Sequence, residues 1–161
     1  MTRPPCECSV LLVEDEMIVA LDIEDIIAAA GLKLEAHAVR GSEALEFFDR
    51  YRPALCLVDV HLLDGPVGFD CGRRFVEAGA LVVFMTANQA ALPSDLGGAY
   101  GVIAKPYTNT GLLQALRHLR QVVIGENGDE PIPGGLALAA GERGLSAASA
   151  IPRRLRSARG P

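Results

Sequence analysis

Along the first 124 positions, short runs of aliphatic and β-branched residues alternate with stretches whose apolar residues recur every three to four places. The runs are Val10 to Val13, Leu34 to Val39, Ala54 to Val60, Leu81 to Met85 and Val102 to Ala104, each giving way to a polar residue. Runs this short and continuous predict strands buried on both faces. Between them, Val19, Ile23, Ile26, Ile27 and Ala30 share one helical face and stop at Gly31, a residue suited to ending a helix. Ser42 stands where it can cap a second helix that buries Ala44, Leu45 and Phe48. A third helix is predicted near Phe69 to Ala78, a fourth near Gln89 to Leu96 with Pro93 interrupting it, and a last one from the stripe Leu112, Leu116, Leu119 and Val123. Strands alternating with helices require right-handed βαβ crossovers, hence an α/β fold with a parallel, doubly wound sheet. No internal repeat is present. In such a sheet the binding crevice lies outside the carboxyl ends of the strands, so the residues just after each run carry the interest.

Composition divides the chain. Residues 125–161 hold seven Gly and four Pro in 37 positions and none of the eight Phe and Tyr residues. Such a segment buries too little to offset its ordering entropy, so it is expected to stay disordered alone, with the core built from residues 1–124. Within it, Leu136 to Ala150 holds helix formers beside Gly141 and Gly144, a stretch that could order as a helix on a partner. Arg153, Arg154, Arg156 and Arg159 form a basic cluster read as a solvated end or a docking surface. The division is thus an extension over 1–8, one domain over 9–124 and a tail over 125–161.

With 20 Asp and Glu against 15 Lys and Arg, the net charge of -5 gives no electrostatic footprint for DNA. The first apolar run is too short for a secretory core, and no run approaches the roughly 18 apolar residues of a membrane span, so a cytoplasmic protein with no membrane partner is expected. Cys6, Cys8, Cys56 and Cys71 then read as thiols, and the lone Cys6-x-Cys8 lacks a second pair for a metal site.

The polar residues at the strand ends are Glu14 and Asp15 after the first run, Asp59 within the end of the third, Thr86 after the fourth and Lys105 after the fifth. Each has an ordinary reading: acids at a helix N-terminus for Glu14 and Asp15, a β-branched strand end for Thr86, a solvated lysine for Lys105. Taken together, three carboxylates at one edge repel one another unless a cation sits among them. An all-oxygen ligand set suits Mg²⁺, and a metal beside a hydroxyl and a lysine suits a phosphoryl group. His37 and His118 read as structural or surface residues, and Cys56 as a small core residue.

The acid pair in LLVEDE, the aspartate in CLVDVHL, Thr-Ala in VFMTAN and Lys-Pro in IAKPY, in that order, resemble the receiver domain of two-component response regulators over about residues 9–123. The resemblance implies a flavodoxin-like (βα)5 fold with five strands in the order 2-1-3-4-5. It implies Asp59 as phosphoacceptor; Mg²⁺ held by Glu14, Asp15, Asp59 and the backbone carbonyl of His61; Thr86 and Lys105 meeting the phosphoryl oxygens; a small Ala87 leaving phosphorus accessible; and a cis peptide before Pro106. Two features depart from the pattern. The loop after Asp59, with Leu63, Asp64, Gly65 and Pro66 before Gly68, looks one residue longer, a form associated with stand-alone receivers paired with kinases of the HWE or related type. Val102 stands where many receivers carry an aromatic switch residue, with Tyr100 and Tyr107 near that position but not at it.

The function implied is a single-domain response regulator, not an enzyme beyond its own phosphorylation and dephosphorylation. It would take phosphate from a sensor histidine kinase or phosphotransfer protein and act on a downstream protein target, as a relay intermediate or as a sink. One alternative is a receiver-like adaptor that needs no phosphate. Another is a small Mg²⁺-dependent aspartyl phosphatase, disfavoured because Asp59, Val60 and His61 lack the second acid of an Asp-x-Asp pair. No G-x-G-x-x-G follows the first run, which excludes a dinucleotide module.

Overall fold

A computed structural model describes residues 8–126 and 130–140. Cys6, Gly141, Gly144 and the four tail arginines lie outside the described residues. The order is β1 (Ser9–Val13), α1 (Met17–Ala29), β2 (Lys33–Ala38), α2 (Gly41–Tyr51), β3 (Leu55–Asp59), α3 (Gly68–Glu77), β4 (Leu81–Thr86), β5 (Gly101–Ala104), α4 (Asn109–Ile124) and β6 (Leu136–Leu138). The strands form one sheet in the order β2-β1-β3-β4-β5-β6, parallel throughout except that β6 runs antiparallel to β5.

Period-two alternation divides each central strand between two cores. Val10 and Leu12 of β1, Leu55 and Leu57 of β3, Val83 and Met85 of β4 and Ile103 of β5 pack with Ile23, Ile27, Leu112, Leu116 and Leu119 of α1 and α4. Leu11, Val13, Cys56, Val58, Val82, Phe84 and Val102 pack on the other face with Ala44 and Phe48 of α2 and Cys71 and Phe75 of α3. Both faces are therefore dry, as continuous apolar runs require. The second face is closed by stacked Phe48 and Phe75, 4.5 Å between ring centroids. Close packing there leaves Gly72 no room for a side chain, since a Cβ would lie 2.4 Å from the Phe84 ring.

Three sequence expectations are corrected. The sheet has six strands, because a piece of the tail pairs with β5 and buries Leu136 in the α1/α4 core. Leu136 therefore begins a strand in the chain by itself, residues 141–150 of the partner-ordered stretch lie outside the described residues, and the core draws on more than residues 1–124. The helix expected near Gln89 to Leu96 is two isolated turns of 3-10 helix, Gln89–Ala91 and Leu96–Gly98. Pro93 lacks an amide donor, and Leu96, Gly97 and Gly98 all take positive φ, which a continuous right-handed helix forbids. Finally, α2 starts at Gly41 and Ser42 does not cap it. The Asp64 carboxylate accepts from the Gly41 N–H (2.9 Å) and the Ser42 N–H (3.4 Å), so the loop after β3 caps α2 across 22 to 23 residues of chain.

Candidate functional site

Alternation carries three side chains to one place. Two residues beyond Leu12, Leu57 and Ile103, the same parity reaches Glu14, Asp59 and Lys105 at the carboxyl edge of β1, β3 and β5. The ladder continues past the strand ends to hold them, with Glu14 N–H donating to Ala38 O (2.9 Å) and Lys105 N–H to Thr86 O (2.8 Å). The Lys105 Nζ then donates to Glu14 Oε2 at 2.9 Å and to Asp59 Oδ2 at 2.7 Å. Glu14 is wholly buried and Asp59 is 7% exposed, so two buried carboxylates meet a lysine that is only partly covered. Burial raises the Glu14 carboxyl above its ordinary value, opposed by the Glu16 N–H bond and by Lys105. Burial alone would lower Lys105, but the hydrogen bonds and charges of Asp59 and Glu14 outweigh it and hold the ammonium above the usual lysine value.

Asp15, half-exposed, completes a group with Glu14 and Asp59 whose carboxylate oxygens lie within 4.8 Å of one another. Three hard oxygen donors at that spacing fit a Mg²⁺ site. Backbone contacts orient the first and third acids: Glu16 N–H donates to Glu14 Oε1 (3.1 Å) and His61 N–H to Asp59 Oδ1 (3.1 Å). His61 itself is exposed.

Thr86 falls on the opposite parity from Asp59 and Lys105. It is buried at the end of β4, and its hydroxyl accepts from the Asn88 N–H at 3.1 Å. Ala87 beside it is exposed, and the peptide between Lys105 and Pro106 is cis. Tyr107 is half-buried against the α1/α4 core, and burial raises its hydroxyl pKa. Val102 is interior, paired with Phe84 on the α2/α3 face.

Three residues support the acids through contacts that the sequence does not reveal. His37 bonds through Nε2 to the Glu14 carbonyl at 2.7 Å, a contact set by the register of β1 on β2 that no local pattern signals. Asp64 ties the loop after Asp59 to α2. Gly68 opens α3 directly against Asp59: a Cβ there would sit 1.9 Å from the Asp59 carbonyl oxygen. The sequence signals it only by its place in the loop, nine residues after Asp59. His118 is structural too, buried with Nε2 and the Tyr100 hydroxyl 2.8 Å apart.

A doubly wound parallel sheet with acids and a lysine at its carboxyl edge defines the flavodoxin-like receiver architecture. Known proteins agree. The chain is 30% identical over 101 residues to the phyllosphere-induced regulator PhyR of Methylorubrum extorquens, covering 61% of this chain and 38% of that protein. It is 25% identical over 112 residues to the chemotaxis protein CheY of Thermotoga maritima, covering 66% of this chain and 92% of CheY. Among solved structures, the PhyR receiver domain of Erythrobacter litoralis superposes with a TM-score of 0.61 at 21% identity, over 78% of this chain and 97% of that one. No family model matches. The chain spans 38% of PhyR and 54% of the Mycobacterium tuberculosis regulator PdtaR. Its homologues are response regulator receiver domains, and the chain shares their fold. Those relatives are signalling switches and not classical enzymes. Among the described residues no helix is long and apolar enough to cross a membrane.

Proposed function

We propose that the chain is a phosphorylation-controlled response regulator that acts in the cytoplasm through protein contacts. The observation that carries this reading is the triad itself: Lys105 within 2.9 Å of both Glu14 and Asp59 at the sheet edge, with Asp15 alongside. In the proposed reaction Asp59 Oδ attacks the phosphorus of a phosphohistidine on a sensor kinase, of HWE or related type, or on a phosphotransfer protein. The P–O bond to Asp59 forms as the P–N bond breaks, and the imidazole keeps the electron pair. Water attack on phosphorus later returns the carboxylate and inorganic phosphate. Glu14, Asp15, Asp59 and the His61 carbonyl would hold Mg²⁺, which supplies charge neutralisation for the phosphoryl oxygens.

Lys105 serves the same anion. Its bond to Asp59 Oδ2 would pass to a phosphoryl oxygen, while the His61 N–H keeps Asp59 oriented. Thr86 already accepts from Asn88, so its hydroxyl hydrogen is available for the phosphoryl group once the β4 end turns toward it. Its parity makes that turn necessary. Ala87, small and exposed, leaves phosphorus accessible to water. Protein partners have a precedent in a CheY of Borrelia burgdorferi, similar in fold, which was solved in complex with CheX, BeF3 and magnesium.

A phosphate-independent adaptor is the second reading, and the interior Val102 favours it by leaving no aromatic ring to follow Thr86. Acid-labile labelling by acetyl phosphate separates the two. Mg²⁺-dependent label on the wild type and none on Asp59→Asn is expected; a folded wild-type chain that takes no label from acetyl phosphate or from a kinase refutes the switch.

A further inference from the structure

Glu14, Asp15 and Glu16 are the whole connection between β1 and α1. Its two ends are fixed. Glu14 N–H donates to Ala38 O (2.9 Å), and Glu16 donates its N–H to Glu14 Oε1 (3.1 Å) while its carbonyl accepts from the Ala20 N–H (2.9 Å). Asp15, between them, has no hydrogen bond of its own among the described residues, yet it is one of the three acids whose carboxylate oxygens lie within 4.8 Å of one another. Where its carboxylate points is therefore set by the peptide planes on either side of it.

The plane before Asp15 is not held by the sheet. In a parallel ladder the Glu14 carbonyl would take its donor from the β2 side, two residues beyond the carbonyl that receives the Glu14 N–H, which is the Arg40 amide. The chain leaves the ladder before that rung. β2 ends at Ala38, Val39 N–H goes to Glu43 Oε2 (3.2 Å), and Arg40 leads into α2. The His37 ring supplies the donor instead, with Nε2 2.7 Å from the Glu14 oxygen. A carbonyl only accepts, so Nε2 carries the hydrogen. His37 is half-buried on the outermost strand, where a ring has little core to fill, and its polar contact is with the backbone of the acidic group.

We infer that His37 is a positioning residue for the candidate cation site: its Nε2–H fixes the Glu14 carbonyl and, through that peptide, aims the Asp15 carboxylate at the place it shares with Glu14 and Asp59. The inference rests on the reading of these acids as a Mg²⁺ site and extends it to a residue that offers the ion no atom of its own. Hydrogen bonds behind a ligand set are commonly worth about 10–100-fold in metal affinity, because they hold the donors in the geometry the ion needs.

Isothermal titration of MgCl2 into the full chain reads the effect directly, with no phosphoryl donor present. His37→Phe keeps a ring and removes the donor, His37→Ala removes both, and His37→Gln restores an N–H at nearly the same reach. The first two should bind Mg²⁺ at least about tenfold more weakly than wild type, and His37→Gln within about threefold of it. Should His37→Ala not fold, the contrast between Phe and Gln decides. Urea midpoints measured in chelator separate positioning from plain stability. A midpoint lowered in His37→Phe with the Mg²⁺ affinity of the folded chain unchanged is the mark of a structural role and overturns the inference. Equal losses in His37→Gln and His37→Phe overturn it as well, because the donor would then not be what matters. In both cases wild type still binds the ion, so the cation-site reading stands. A wild type that takes no Mg²⁺ at millimolar concentration would overturn that reading, and the inference with it.

Discussion

Removing Lys105 tests whether the site is one electrostatic unit. Lys105→Ala leaves Glu14, wholly buried, and Asp59, 7% exposed, facing each other without the ammonium that lies 2.9 and 2.7 Å from their oxygens. Stripping one partner from a buried ion cluster costs about 3–5 kcal/mol, because the charge left behind has lost both water and counter-ion. Here the lysine side chain is itself 21% exposed, so water can enter the vacated volume and reduce the loss. We therefore expect destabilisation of about 2–4 kcal/mol at neutral pH in the presence of a chelator. Adding Glu14→Gln should recover much of it, since one of the two mutually repelling carboxylates is then neutral. Urea unfolding followed by far-UV circular dichroism measures both, compared at a common denaturant slope. Mg²⁺ added to the single variant should raise its midpoint, as any ligand of the native state does. A loss below about 0.5 kcal/mol, within the range of exposed ion pairs, or a double variant no more stable than the single one, would show that the three groups are not coupled.

Two further outcomes follow from geometry. Gly68→Ala places a Cβ 1.9 Å from the Asp59 carbonyl and 2.8 Å from the Val60 Cα, both backbone atoms that cannot swing aside. It should cost about 1–3 kcal/mol and slow acetyl phosphate labelling, whereas Gly134→Ala, with nothing within 4 Å, should do neither; equal behaviour of the two would contradict the packing. For pH, burial lowers the His118 pKa, with the Glu130 charge opposing and the Tyr100 hydroxyl as its neighbour. The unfolded chain then binds the proton more readily, so stability is full above the unfolded value of about 6.5 and is lost as pH falls below it. His118→Gln should flatten that decline in urea midpoint, and an unchanged slope would rule His118 out as its source.

The meeting of the acids and the lysine is legible in the sequence. Glu14 and Lys105 follow apolar runs and Asp59 lies at the end of another, and a parallel sheet brings run ends to one edge whatever the lengths of the intervening helices. The first two helices and the last are legible from period, because each buries a stripe against a sheet face. The stretch after Thr86 departs from its local pattern: Gln89 to Leu96 holds helix formers, but Pro93 and the positive φ of residues 96–98 outweigh propensity. Asp64 as the cap of α2 and His37 as the support of Glu14 join residues 23 apart in the chain, beyond the reach of any local signal.

Composition and periodicity were enough to establish the α/β class, the two-sided core and the edge on which the acids meet, because these follow from local pattern and the handedness of crossovers. Tertiary structure decided the rest. Whether Leu136 is tail or core depends on an open strand edge and on the missing side chain at Gly101, 35 residues away, and Lys105 is a partner of Glu14 rather than a solvated lysine because β1, β3 and β5 end level in three dimensions.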